Sequence, residues 1–76
     1  MKSDTKYYSV SEQADERAQM IKNMASGCYP GKTATGEVCV VRIVSGEYMD
    51  VRVHTARGTS VTHYNSNGEA VSFTNK

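Results

Sequence analysis

Three turn signals at close, even spacing constrain this chain more than anything else in it. Ser45-Gly46-Glu47, Arg57-Gly58 and Asn67-Gly68 interrupt a stretch from residue 37 to residue 74 that is otherwise rich in Val, Thr, Tyr and Phe. Runs of β-branched and aromatic residues bounded in this way read as strands. Such short links can join only antiparallel neighbours, because a parallel connection needs a crossover of about a dozen residues or more. The segment therefore reads as a four-stranded antiparallel meander, with strands at about 37–44, 48–55, 59–65 and 69–74. Asn67-Gly68 is the strongest hairpin signal of the three.

Side chains alternate between the faces of a strand, so the turns also decide which residues share a face. A three-residue Ser45-Gly46-Glu47 loop sets Ile43 opposite Met49, Val41 opposite Val51, Cys39 opposite Val53 and Arg42 opposite Asp50. A two-residue loop would set Arg42 against Met49, a poorer match. With Arg57-Gly58 as the next loop, Val51 faces Tyr64 and Val53 faces Thr62. With Asn67-Gly68 as the last, Tyr64 faces Val71 and Thr62 faces Phe73. The three assignments agree on one apolar face made of Cys39, Val41, Ile43, Met49, Val51, Val53, Tyr64, Val71 and Phe73.

Residues 9–26 have the other periodicity. Val10, Ala14, Ala18, Ile21 and Ala25 fall on one helical stripe, widened by Met24. Ser9 and Glu12 have the spacing of a capping box, with Ser11 as a rival N-cap. Acidic Glu12, Asp15 and Glu16 stand at the end where the helix dipole favours negative charge, and Gly27 suits the position just past a helix. The expected fold class is α+β: one N-terminal helix packed on a four-stranded antiparallel meander, with room for a short extra strand over residues 6–10.

The segment Gly27-Cys-Tyr-Pro-Gly-Lys-Thr-Ala-Thr-Gly36 resembles a phosphate-binding loop on first sight. A Walker A loop has the form Gly-x-x-x-x-Gly-Lys-Ser/Thr and runs from a strand into a helix, so that the helix N-terminus meets the phosphate. Here Gly27 and Gly31 are one residue too close, Pro30 stands between them, and the helix precedes the loop. The segment instead reads as a helix stop followed by a Tyr29-Pro30-Gly31-Lys32 turn. A 28–35 loop of this kind would offer Tyr29 and Lys32 to a partner.

Chemistry-bearing clusters are sparse. His54 and His63 come out as diagonal neighbours on the outer sheet face, with His63 opposite Arg52, His54 opposite Val61, and Asp50 engaged by Arg42. Zinc needs three or four placed ligands, so no metal site is expected. General acid–base work needs a cleft and a positioned partner, and no nucleophile has a base at a suggestive spacing. Cys28 and Cys39 lack the Cys-x-x-Cys spacing and read as buried free thiols. The expectation is a non-enzyme without cofactor. The polar N-terminus and the lack of a long apolar run point to a soluble, cytoplasmic chain without a membrane span. At 76 residues one small domain spanning residues 1–76 is expected, hiding roughly 60% of its unfolded surface.

The outer face of the meander is the expected working surface. Its first strand, Val38-Cys-Val-Val-Arg-Ile-Val44, is apolar on both sides, as in strands covered on both faces. Cover by Tyr7 and Tyr8, simple tolerance of scattered exposed valines, and a partner are the three explanations. Val40, Arg42, Tyr48, Arg52, His54 and His63, with Tyr29 and Lys32 from the loop, are the candidate partner-binding residues. Tyr and Arg among apolar residues are typical of binding hot spots. The edge of the strand at 37–44 is a further candidate for strand addition. Nine Lys and Arg balance eight Asp and Glu, for a net charge of +1, which argues against a dedicated nucleic-acid binder. The expected class is a protein-binding module: an inhibitor, adaptor or accessory subunit, of the kind phages and mobile elements carry as counter-defence proteins. Its partner would be a target protein or a second copy in a homodimer. A nucleic-acid binder using a basic-aromatic sheet face is the alternative.

Overall fold

The computed structural model describes residues 6–75. Its elements are β1 (Tyr8–Ser9), α1 (Ala14–Asn23), β2 (Gly27–Lys32), β3 (Val38–Val44), β4 (Tyr48–Thr55), β5 (Gly58–Tyr64) and β6 (Ala70–Asn75). All six strands lie in one sheet, in the order β1-β2-β3-β4-β5-β6. β1 runs parallel to β2, and every other neighbouring pair is antiparallel. The fold is thus α+β with one helix, and the four strands of the meander and the short N-terminal strand are all present. No helix among the described residues is long and apolar enough to cross a membrane.

β2 is the strand the sequence reading lacks. The segment read as a helix stop and a turn is extended from Gly27 to Lys32 and pairs along its whole length with β3, from Gly27 opposite Ile43 to Lys32 opposite Val38. Pro30 has no amide to donate, yet it does not break the ladder. β1 reaches only Gly31 and Lys32, so β2 is an edge strand at Pro30, where proline is tolerated. Gly31 is needed for close approach: a Cβ there would lie 2.8 Å from a Val41 methyl and 2.9 Å from the Tyr8 carbonyl oxygen. The loop is therefore confined to residues 33–37, closed by Thr33 N–H donating to Glu37 O at 2.8 Å.

The helix is shorter than its apolar stripe. Ser9 is drawn into β1 opposite Lys32, and the Val10 amide donates to Lys32 O at 2.9 Å. The Ser9–Glu12 capping box therefore does not form. Ser11 Oγ accepts from the Gln13 amide at 3.0 Å and donates to Glu16 Oε1 at 2.5 Å instead. At the other end Met24 is already extended, with ψ 143°. The chain must leave the helix early to reach β2, so Gly27 begins a strand rather than capping a helix.

The register of β3 on β4 is the one the turns predict, including Ile43–Met49, Val41–Val51, Cys39–Val53 and Arg42–Asp50. β5 is displaced by two residues from the expected register. Thr55 pairs with Gly58, the loop is Ala56-Arg57, and Val51 meets Thr62 while Met49 meets Tyr64. Thr55 closes that turn with its own side chain, accepting from the Arg57 amide at 3.2 Å and donating to Gly58 O at 3.1 Å. A slip of two leaves each β5 residue on its expected face. In the last hairpin Thr62 does face Phe73, but Tyr64 faces Ala70, and Val71 is the extra residue of a bulge. The cause is Asn65, whose Oδ1 accepts from the Asn67 and Glu69 amides at 2.9 and 3.0 Å, making the loop one residue longer.

The core lies between α1 and the inner face of the sheet. Val10, Ile21, Cys39, Val41, Ile43, Met49 and Val51 are buried, with Met20, Met24, Tyr29, Val53 and Tyr64 packed around them. Burying a side chain like Ile21 contributes about 1.5–3 kcal/mol. The helix is tied at both ends to hairpin turns: Gly46 N–H donates to Ile21 O at 2.8 Å, and Arg17 Nε donates to Gly68 O at 2.7 Å. Val71 and Phe73, expected in the core, are 54% and 63% exposed. The short helix does not reach β6.

Candidate outer-face binding surface

The outer face is ordered in rows by the register. One row runs Cys28, Arg42, Asp50, His63, Ser72, and the next Pro30, Val40, Arg52, Val61, Thr74. A third carries Lys32 opposite Val38, and His54 opposite Thr59. Cys28, Val40, Arg42, Asp50, Arg52 and Val61 line a groove of about 410 Å³ across the first two rows. A wider groove, about 640 Å³, lies between α1 and β1, but it is bounded by Met20 and Met24, and its acid, Glu16, is already bonded to Ser11.

The side chains pair differently from the sequence expectation. Arg42 stands opposite Asp50, yet Asp50 accepts from His63 Nδ1 at 2.5 Å. The two-residue displacement of β5 is the cause, because it sets His63 directly opposite Asp50 rather than Arg52. Among the described residues neither Arg42 nor Arg52 has a carboxylate within 4.0 Å. Tyr48 lies beside His63, with ring centroids 4.8 Å apart. His54 is four residues from Asp50 along β4 and bonds Thr59 through Nδ1 at 2.9 Å, so the two histidines are not neighbours. No group of three or more His, Cys, Asp or Glu side chains that could hold a metal occurs among the described residues.

No protein-family model, curated protein or solved structure matches this chain. The surface must be read from its own chemistry.

Of the eight candidate residues, six share this face: Val40, Arg42, Tyr48, Arg52, His54 and His63. Lys32 joins them at the rim, exposed, with its ammonium 5.1 Å from the centre of the Tyr7 ring. Tyr29 does not join them. It is half-buried on the inner face opposite Val41, packs edge-on against Tyr8 at 5.3 Å, and donates its hydroxyl to Ala25 O at 2.5 Å. The loop assignment that exposed it fails because Tyr29 is a strand residue. The edge of β3 is likewise closed, since β2 occupies it. Tyr8 faces the helix side and Tyr7 stays at the rim, so neither covers the outer valines; Val38 and Val40 remain 56% and 42% exposed.

Of the groove residues, Cys28, Asp50 and Val61 are not among the sequence candidates; Asp50 and Val61 were expected on this face, and Cys28 was not. The alternation Cys28, Pro30, Lys32 would have supplied it, once the segment was read as a strand. The two thiols lie on opposite faces, Cys28 opposite Arg42 and Cys39 opposite Gly31, so they cannot join in a disulfide. Both are free, but Cys28 is exposed rather than buried. Burial, and secondarily the charge of Glu37, pushes the Cys39 thiol above its ordinary value of 9.0.

Proposed function

We propose that this chain is a small protein-binding module, such as an inhibitor, adaptor or accessory subunit, and that it works through the outer sheet face. One observation carries the reading: two guanidinium groups with no carboxylate partner among the described residues flank a groove whose rim and walls include exposed valines. Arg42 and Arg52 supply planar, multidentate donors, and Val38, Val40 and Val61 supply apolar contact. The complementary partner is a protein surface that presents carboxylates beside apolar side chains. Such charge pairs across an interface fix orientation and speed encounter more than they add affinity.

Val40→Asp and Arg52→Glu test this. Both residues are exposed, so the circular dichroism spectrum should be unchanged while capture of the partner from lysate is lost. Retained capture by both folded variants would refute the assignment of this face.

Because Asp50 bonds His63, both guanidinium groups are open to phosphates as well, which supports a nucleic-acid reading as the second choice. The two differ in salt response. Phosphate binding weakens steeply with salt, by about 0.9 log units per neutralised phosphate for each log unit of salt. A protein partner held by two arginines and a valine cluster responds weakly.

A further inference from the structure

The far edge of the sheet has a different character. β6, Ala70-Val-Ser-Phe-Thr-Asn75, is exposed at every residue and, among the described residues, pairs only with β5. An open edge strand is a template for another strand, and proteins ordinarily guard it with lysine, proline or inward charge. β6 has none of these over residues 70–75. Its one protective feature is the bulge at Val71, which leaves the run from Ser72 to Asn75 regular. Beside the inner face of that run, Val71 and Phe73 lie 54% and 63% exposed.

We infer that this edge is a self-association site, at which β6 of a second copy adds antiparallel, with the two-fold axis at Phe73. The symmetry matches the strand to itself. Phe73 meets Phe73 of the copy, Val71 meets Asn75, and Ser72 meets Thr74. Aromatic pairs and Ser/Thr pairs directly across strands are favourable combinations. Apolar groups stay on the inner side and hydroxyls on the outer, as in the monomer. No like charges are brought together, because the strand carries none, and a chain of net charge +1 repels its copy little. The outer face described above stays open in such a dimer, so the two surfaces work independently.

The contact is small. A wholly buried aromatic ring withdraws about 150–250 Å², so two copies of Phe73 at 63% exposure withdraw roughly 200–300 Å². Stable interfaces bury about 1,200–2,000 Å² in total, and one strand pair lies at or below the lower end of that range. The dimer is therefore weak and concentration-dependent.

Sedimentation equilibrium from micromolar to millimolar protein tests this. The weight-average mass should climb from the chain mass of 8.3 kDa toward twice that value. Phe73→Lys should weaken association at least tenfold with unchanged circular dichroism, and Val40→Asp should leave it alone. Crosslinking checks the register, with Cys28→Ser as background to remove the exposed thiol. Cysteines at directly opposed positions fall within the Cα separation of about 4.4–6.8 Å that a disulfide needs. A mixture of Val71→Cys and Asn75→Cys chains should therefore crosslink on mild oxidation. Either variant alone should not, because like positions lie about 13 Å apart at about 3.3 Å per residue. A monomer at every concentration would overturn the proposal, as would loss of the dimer in Val40→Asp alone, or crosslinking by either single variant as readily as by the mixture.

Discussion

Replacing Gly68 with alanine tests how the helix is seated on the sheet. Gly68 is buried in the turn between β5 and β6 at φ 78°. A Cβ there would collide with the Ala14 carbonyl oxygen and lie 2.8 Å from the Ala18 amide nitrogen, both backbone atoms of α1. Backbone cannot swing aside as a flexible side chain can, so the helix itself must shift. Gly46, in the turn between β3 and β4, is the control: its φ is 76°, and a Cβ would meet nothing within 4 Å. Both substitutions incur the left-handed conformation, about 1–2 kcal/mol for an L-residue. Only Gly68→Ala adds overpacking, typically about 1–3 kcal/mol. Gly46→Ala should thus cost about 1–2 kcal/mol and Gly68→Ala about 2–5 kcal/mol. At about 0.05–0.15 kcal/mol per residue the whole chain has roughly 4–11 kcal/mol to lose. Urea titration followed by far-ultraviolet circular dichroism measures the difference. With an m-value of about 1 kcal/mol/M, the Gly68→Ala midpoint should fall about 1–3 M below that of Gly46→Ala. Equal midpoints would refute the seating of α1 on this turn.

Arg17→Ala should destabilise by about 1–3 kcal/mol in the same titration, because Arg17 bonds Gly68 O at 2.7 Å and Ser11 O at 3.0 Å and stacks 4.6 Å over the Tyr64 ring. A thiol reagent should modify Cys28 rapidly in the native protein and Cys39 only after denaturation; two fast thiols would contradict the burial of Cys39. Cys39 also sets a pH response. Its folded pKa is raised above 9.0 by burial, so its contribution is whole below pH 9 and is lost as pH climbs through the folded value. The urea midpoint should fall with alkalinity above about pH 9, and less steeply in Cys39→Ala.

The meander was legible because turn chemistry and strand alternation are local signals. Ser45-Gly46-Glu47 placed every β3–β4 pair correctly. The later turns failed by one or two positions because Thr55 and Asn65 redirect the loops with their own side chains, and glycine-based turn reading overlooks those bonds. β2 was hidden for a different reason. Gly27, Pro30 and Gly31 all carry low strand propensity, and what holds them extended is the ladder to β3, a contact far away in sequence. Helix length suffered likewise, since Ser9 and Val10 match a helical stripe but are held by Lys32. Alternation alone placed six of the eight candidate residues on the outer face. Tyr29 went wrong with β2, and the preference of Asp50 for His63 over Arg42 could not be seen before the β5 register was known.

The two ties of the helix also bear on how the chain matures. A ten-residue helix is too short to persist alone in water. Its anchor for Arg17 is Gly68, 51 residues downstream. During synthesis from the N-terminus, Ile21 stays uncovered until β3 and β4 have followed it and Gly46 can bond its carbonyl. The hairpins can close one after another as they emerge, since each joins strands adjacent in sequence. The Arg17 side of the helix is fastened only when the turn at Gly68 follows, so between those two events a half-seated helix leaves apolar surface open to chaperones and to other copies.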